Sequence, residues 1–233
     1  MNLFYANPED IHLPEILIRG QEAKHISKVL RYREGDLLDI TDGNGRKLSC
    51  KIIKIEKNYI SAEVFENYTE ERRLPWITLC MGIIKKRDRL EFAVEKAVEL
   101  GADEIVIYRG EHSQKQNVRF ERLRDTALSA MKQSLRLFLP DVRVESSLEK
   151  VLNSIDENSS IIAADETIGE GDTVKKFFNG TDNLSLIVGP EGGFSKNERE
   201  VMDKRGVVRY SLGEKRLRTE TAALLMVDRF KNR

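Results

Sequence analysis

Residues 186–200 read LIVGPEGGFSKNERE, with Gly189, Pro190, Gly192 and Gly193 set between an apolar run and a charged run. A turn needs one or two such residues. Four suggest a ligand at the main chain, because the three glycines lack the Cβ that would keep it away. Ser195 stands three residues before Glu198, the spacing of a capping box, so a helix is predicted to begin directly after the loop. Strand, glycine loop and helix N-terminus in that order form a ligand cradle. The loop lacks the G-K-[ST] of a phosphate loop and the G-x-G-x-x-G of a dinucleotide fingerprint. Glu191 repels phosphate and suits a cationic or hydroxyl-rich ligand. A tight turn with glycines for geometry alone is the competing reading of this loop.

A second loop of the same kind follows at 210–226, YSLGEKRLRTETAALLM. An apolar strand ends at Gly213, then Lys215, Arg216 and Arg218 make a basic stretch. Thr219, Glu220 and Thr221 lead into an apolar helix. Two strand–loop–helix units place two polar loops at the C-terminal edge of a parallel sheet, where such sheets bind ligands. Helix capping for the threonines and a solvated basic loop are the plainer alternatives.

The elements that must position these loops are legible from periodicity. Residues 1–70 read as a small β-rich module: strands at 36–41, 47–56 and 59–66, a Gly/Asn turn at 42–46, and one helix over 21–32 with Ala23, Ile26, Val29 and Leu30 on one face. After the polar stretch ending at Pro75 the texture becomes alternating strand and helix through 75–233. Strands are predicted at 76–83, 104–108, 141–145, 160–165, 184–189 and 207–213. One helix spans 88–100, with Asp88 and Glu91 as a capping box and Gly101 as its stop. Another spans 119–139, its stripe running through Phe120, Leu123, Ala127, Met131, Leu135 and Phe138 to Pro140. This pattern means an α/β fold with a parallel sheet covered on both faces.

The chain has 233 residues, 39 basic and 39 acidic, so its formal charge is zero. That excludes sequence-blind coating of nucleic acid but not local basic patches. No apolar run approaches the ~18–20 residues of a membrane span, and the N-terminus does not read as a secretory leader. A cytoplasmic protein is expected. Cys50 and Cys80 are isolated and read as buried thiols. His12, His25 and His112 are scattered, and no metal is expected.

Taken together, LIVGPEGGFSKNE and LGEKRLRTETAAL resemble the two signature segments of the RsmE family, SPOUT-superfamily methyltransferases that modify N3 of a uridine in 16S ribosomal RNA. DRLEFAVEKAVELGADEI, RFERLRDTALSAMKQSLRLFLPDV and HISKVLRYREGDLLDITDG resemble the family's other segments, so the likeness covers nearly the whole chain. Departures are His112, where the family often has arginine, and MKQS at 131–134, where AEQS is usual. The resemblance implies a PUA-like β-barrel RNA-binding domain at 1–70 and a SPOUT domain with a C-terminal trefoil knot at 75–233. It also implies a homodimer, S-adenosyl-L-methionine as cofactor, and 16S rRNA of the small ribosomal subunit as partner.

By the same resemblance Gly189, Pro190, Gly192, Gly193, Leu212, Gly213, Leu217 and Thr221 line the cofactor pocket, and Gly192→Val is expected to exclude the cofactor. Arg218, Glu220 and Glu191 lie where chemistry occurs. Arg218 either stabilises a uracil anion or pairs with Glu220 or Glu191. Lys28, Arg31, Arg87, Arg122 and Arg136 are candidate RNA contacts, each with a solvated face as its plainer reading. A related enzyme acting on another base or a ribose 2′-oxygen, and a non-catalytic ribosome-assembly protein, are the alternatives.

Overall fold

Alternating burial along the first strands sets the N-terminal architecture: in Arg46–Ile55 the side chains of Leu48, Cys50 and Ile52 face inward while their neighbours face out. The structure, a computed structural model, describes residues 2–72, 74–114, 117–168 and 183–231. It divides into two units, one of Met1–Arg72 with Met131–Leu139, the other of Arg73–Ala130 with Pro140–Arg233.

In the first unit, β1 (Leu3–Tyr5), β2 (Ile11–His12), β3 (Glu15–Arg19), β4 (Leu37–Thr41), β5 (Arg46–Ile55) and β6 (Tyr59–Thr69) form a sheet of order β1-β4-β5-β6-β3-β2. Only β1 and β4 pair in parallel. The core gathers Ile16, Ile18, Ile40, Leu48, Ile52 and Ile60 around Ile26. The helix predicted over 21–32 is shorter: α1 covers Gly20–Lys24 and continues as a π-helical turn through His25–Val29. The wider turn rotates Val29 off the buried face, leaving it 65% exposed, and Arg31 at φ 59° ends the segment. Cys50 is buried, which with the nearby Asp39 carboxylate pushes its thiol up to about 12, and Cys80 is buried too.

Residues 131–139 belong with this unit although the sequence reads them as helix. The peptide N–H of Gly45 donates to Leu137 O at 2.9 Å, and Leu139 N–H donates to Gly43 O at 2.8 Å. The turn of the β4–β5 hairpin thus finds partners far along the chain. The long helix, α3 (Phe120–Gln133), therefore stops well before Pro140, and Leu135 takes φ 58°. Leu135 and Phe138 leave the predicted stripe, and the Phe138 ring packs where a Cβ on Gly45 would lie.

In the second unit, β7 (Ile77–Gly82), β8 (Glu104–Tyr108), β9 (Asp141–Glu145), β10 (Ser160–Ala164), β11 (Leu184–Val188) and β12 (Val208–Tyr210) form an all-parallel sheet of order β12-β10-β11-β7-β8-β9. β7 and β11 are buried at every position, as strands covered on both faces must be. On one side α4 (Leu148–Ser154) and α5 (Lys196–Lys204) close a core with Cys80, Val106, Tyr108 and Ile187. α2 (Arg87–Glu99) and α6 (Thr219–Lys231) pack on each other, and α6 packs on β7 and β11. The proposed capping box of α2 is absent: Lys86 is the N-cap without a side-chain bond, and Glu91 instead takes the Arg122 guanidinium at 2.6 Å. The capping box of α5 is present, Ser195 and Glu198 each bonding the other's backbone.

Candidate active site

The loop after β11 is held from several sides. Pro190 lies against the ends of the neighbouring strands: a Cβ on Gly82 would collide with the Pro190 backbone, and one on Gly110 would fall 2.9 Å from its Cγ. Small residues are therefore required at both places. Tyr108 Oη donates to Val188 O at 3.0 Å, and Gly193 N–H closes a turn onto Pro190 O at 2.8 Å with Gly193 at φ 72°. From the loop after β8, Glu111 N–H donates to Glu198 Oε1 at 3.1 Å, and His112 Nδ1 lies 3.2 Å from Gly192 O.

The loop after β12 is looser. Gly213 takes φ 116°, its N–H donates to Ser211 Oγ at 3.3 Å, and the Arg216 guanidinium lies 3.3 Å from Glu166. The two loops and the end of β10 enclose one cavity of about 330 Å³ at the C-terminal edge of the sheet. Its wall carries apolar groups from Val188, Phe194, Leu212, Leu217 and Ala222, exposed backbone at both loops, and the carboxylates of Glu166 and Glu191. Asp165 forms part of the floor and is nearly fully buried. Burial acts to raise its carboxyl, but hydrogen bonds from Arg199 and Thr167 outweigh that and hold it below the usual carboxylate range.

With this geometry in place, comparison with known proteins decides the family. The family described as RNA methyltransferase domain matches residues 70–231, and the one described as RNA methyltransferase PUA domain matches 18–65. The Bacillus subtilis ribosomal RNA small subunit methyltransferase E is 30% identical over 91% of this chain and 87% of its own. A crystal structure from Porphyromonas gingivalis described as a "probable rRNA-methyltransferase" is 32% identical, with TM-score 0.86 over 100% of this chain and 98% of that one. A ribosomal RNA small subunit methyltransferase E from Neisseria gonorrhoeae, bound to S-adenosyl methionine, is 26% identical with TM-score 0.86, covering 100% and 97%.

The chain belongs to the ribosomal RNA small subunit methyltransferase E family.

Within this family frame the residues singled out from sequence divide. Gly189, Pro190, Gly193, Leu212, Gly213 and Leu217 all line the cavity. Gly192 and Thr221 do not. A Cβ on Gly192 would meet His112 Cβ at 2.7 Å and His112 O at 3.1 Å, so its smallness serves loop packing. Thr221 is exposed on α6. Glu191 and Arg218 reach the cavity, whereas Glu220 is buried outside its lining. The ion partner of both glutamates is Arg89, with Nη1 3.6 Å from Glu191 Oε1 and Nε 3.6 Å from Glu220 Oε1. Glu220 Oε2 is buried without a hydrogen bond. Arg218 has an exposed side chain with no ion pair among the described residues, so its pairing with Glu220 or Glu191 is not found.

Of the candidate RNA contacts, Lys28 and Arg31 are exposed and Arg136 half-buried in the first unit, while Arg87 is exposed and Arg122 paired with Glu91 in the second. Sequence reading misses Asp165, Glu166 and Arg199, and takes Arg89 only as part of an RNA-holding cationic patch with Lys85, Lys86 and Arg87. Asp165 and Glu166 carried a usable signal, adjacent carboxylates directly after a strand of a parallel sheet. The link from Arg89 to Glu191 and Glu220 carried no signal, since only the fold brings the three together. Among the described residues no cluster of three His, Cys, Asp or Glu is placed to hold a metal, and no helix is long and apolar enough to cross a membrane.

Proposed function

We propose that this chain methylates N3 of a uridine in 16S ribosomal RNA with S-adenosyl-L-methionine as donor. The observation that carries the reading is the cavity shared by the two signature loops, in a chain of this methyltransferase family. The residues present fit such a cofactor. Val188, Leu212, Leu217 and Ala222 offer apolar surface to a purine. Backbone at Gly189 and Gly213 offers hydrogen bonds, and the carboxylates of Glu166 and Glu191 suit ribose hydroxyls and positive charge. When bound, the cofactor supplies an electrophilic methyl on a positively charged sulfur.

Uracil N3 carries a proton and has no free lone pair until it is removed. Glu191, the catalytic carboxylate on the cavity wall, receives that proton, and the Arg218 guanidinium stabilises the anionic ring. N3 then bonds to the methyl carbon as the carbon–sulfur bond breaks and its electron pair returns to sulfur. The braced loop at 189–193 fixes the geometry, and alignment of this kind supplies about 7–11 kcal/mol. Glu220 acts at one remove, as the anchor of Arg89.

The reading extends to a trefoil knot, supported by the return of the chain from edge strand β12 to α6 on the central strands β7 and β11. It assigns 1–70 to a barrel-like RNA-gripping module and 75–233 to methyl transfer, supported by the matched ranges 18–65 and 70–231. A homodimer, cytoplasmic work and a small-subunit target complete it. Mass mapping of methylated nucleotides in 16S rRNA from cells lacking the protein tests it. One base-methylated uridine should disappear, and an unchanged map would refute the assignment.

A further inference from the structure

The loop between Gly213 and Thr219 concentrates positive charge in a chain whose formal charge is zero. Four cations line the cavity: Arg199, Lys215, Arg216 and Arg218. They are not equivalent. Arg199 is spent on the buried Asp165 carboxylate, with Nε 3.1 Å from Oδ2, and on Phe194 O at 2.6 Å. Lys215 and Arg218 are exposed, with no ion pair among the described residues. Arg216 is 73% exposed and its Nε lies 3.3 Å from Oε2 of Glu166, itself 52% exposed. Glu214 is exposed in the same loop but does not line the cavity.

We propose that Lys215 and Arg216 are a phosphate clamp at the cavity rim, gripping the RNA strand beside the nucleotide that enters, with Glu166 holding Arg216 until RNA displaces it. The inference rests on the RNA methylation reading and adds to it where the strand is held. An exposed ion pair of this kind is weak and screened. A phosphodiester presents two anionic oxygens that match the guanidinium fork, so it competes well for Arg216. Cations on a loop tied at its ends by Gly213 and the start of α6 position a backbone without reading sequence. The clamp thus sets where the strand lies, and the cavity determines which base is accepted. Arg218, two residues further along the loop, is left for the base itself.

The test uses the full chain, a 16S rRNA transcript and S-adenosylmethionine, each titrated separately across a salt series. The double variant K215Q/R216Q should weaken RNA binding about tenfold near physiological salt. Its log–log salt dependence should be shallower by about 0.7 per lost contact for single-stranded RNA. Its cofactor affinity should match wild type. E166Q should shift RNA binding the other way, tightening it a few-fold by releasing Arg216. RNA affinity and salt slope unchanged in the double variant would overturn the clamp. So would a loss falling on cofactor affinity, because the cations would then serve the cofactor's carboxylate. A wild-type protein that binds no 16S transcript at any salt would instead bring down the methylation reading, and the clamp with it.

Discussion

The loop after β11 and the loop after β12 face the same cavity, yet they are built on opposite principles. The first is wedged by Pro190 against the positions of Gly82 and Gly110, bonded through Tyr108 and His112, and followed by a fully formed capping box. The second is tied by one bond from the Gly213 N–H to the Ser211 hydroxyl and one exposed ion pair, and it turns through a left-handed glycine. A methyl transfer requires both: a frame that fixes the donor to within fractions of an ångström, and a rim that adapts to a nucleic acid strand. Hydrogen-bond and packing density separate these two duties on two loops that line one cavity.

The sharpest way to break the contrast is Gly82→Ala. The new methyl meets Pro190 backbone, which cannot swing aside as a flexible side chain can. The expected cost is about 3 kcal/mol or more, read as a fall in the denaturant midpoint, with cofactor affinity falling in parallel. A fully stable Gly82→Ala protein would show the first loop to be as adjustable as the second.

Next in size is Asp165→Asn, which keeps the shape of the floor between the loops and removes its charge. Arg199 loses its anion and Arg209 the more distant of its two, Asp203 remaining, at an expected cost of about 1–3 kcal/mol at neutral pH. The effect carries a pH signature. The folded carboxyl lies below its ordinary value of about 3.9, so its contribution is full above that pH. It is lost as pH falls through the lowered folded value. The stability gap between wild type and variant should therefore close in acid, and a gap constant down to pH 2 would contradict the pairing.

The smallest effect is expected in the looser loop. Gly213→Ala adds a methyl that meets nothing within 4 Å, so only the left-handed backbone resists it. About 1–2 kcal/mol of strain should appear, without the steric failure of the Gly82 variant. No measurable change would mean that the loop relaxes to ordinary φ, and the contrast would then be even wider.

The amino-acid pattern disclosed the loops, the parallel sheet and the capping box at Ser195 because these are local signals: period, punctuation and spacing. It failed where the deciding partner is remote. Helix α3 ends at Gln133 because Leu137 and Leu139 bond to Gly45 and Gly43, nearly a hundred residues earlier. Gly192 reads as cradle lining but faces His112, which belongs to another strand's loop. Glu91 has cap spacing yet chooses Arg122 over its own helix end. Arg89 looks like one more surface cation beside Lys85 and Lys86, and only the sheet order reveals that it joins Glu191 to Glu220.

The stretch 131–139 bears on how the protein is made. The N-terminal sheet draws two of its bonds from residues that leave the ribosome only after all of 73–130 has been translated. At roughly 5–20 residues per second, that is an interval of seconds in which the β4–β5 hairpin turn has water where Leu137 and Leu139 will be. Completion of the first unit is thus timed by the second, and a fragment cut after residue 72 would remain permanently at that unfinished stage.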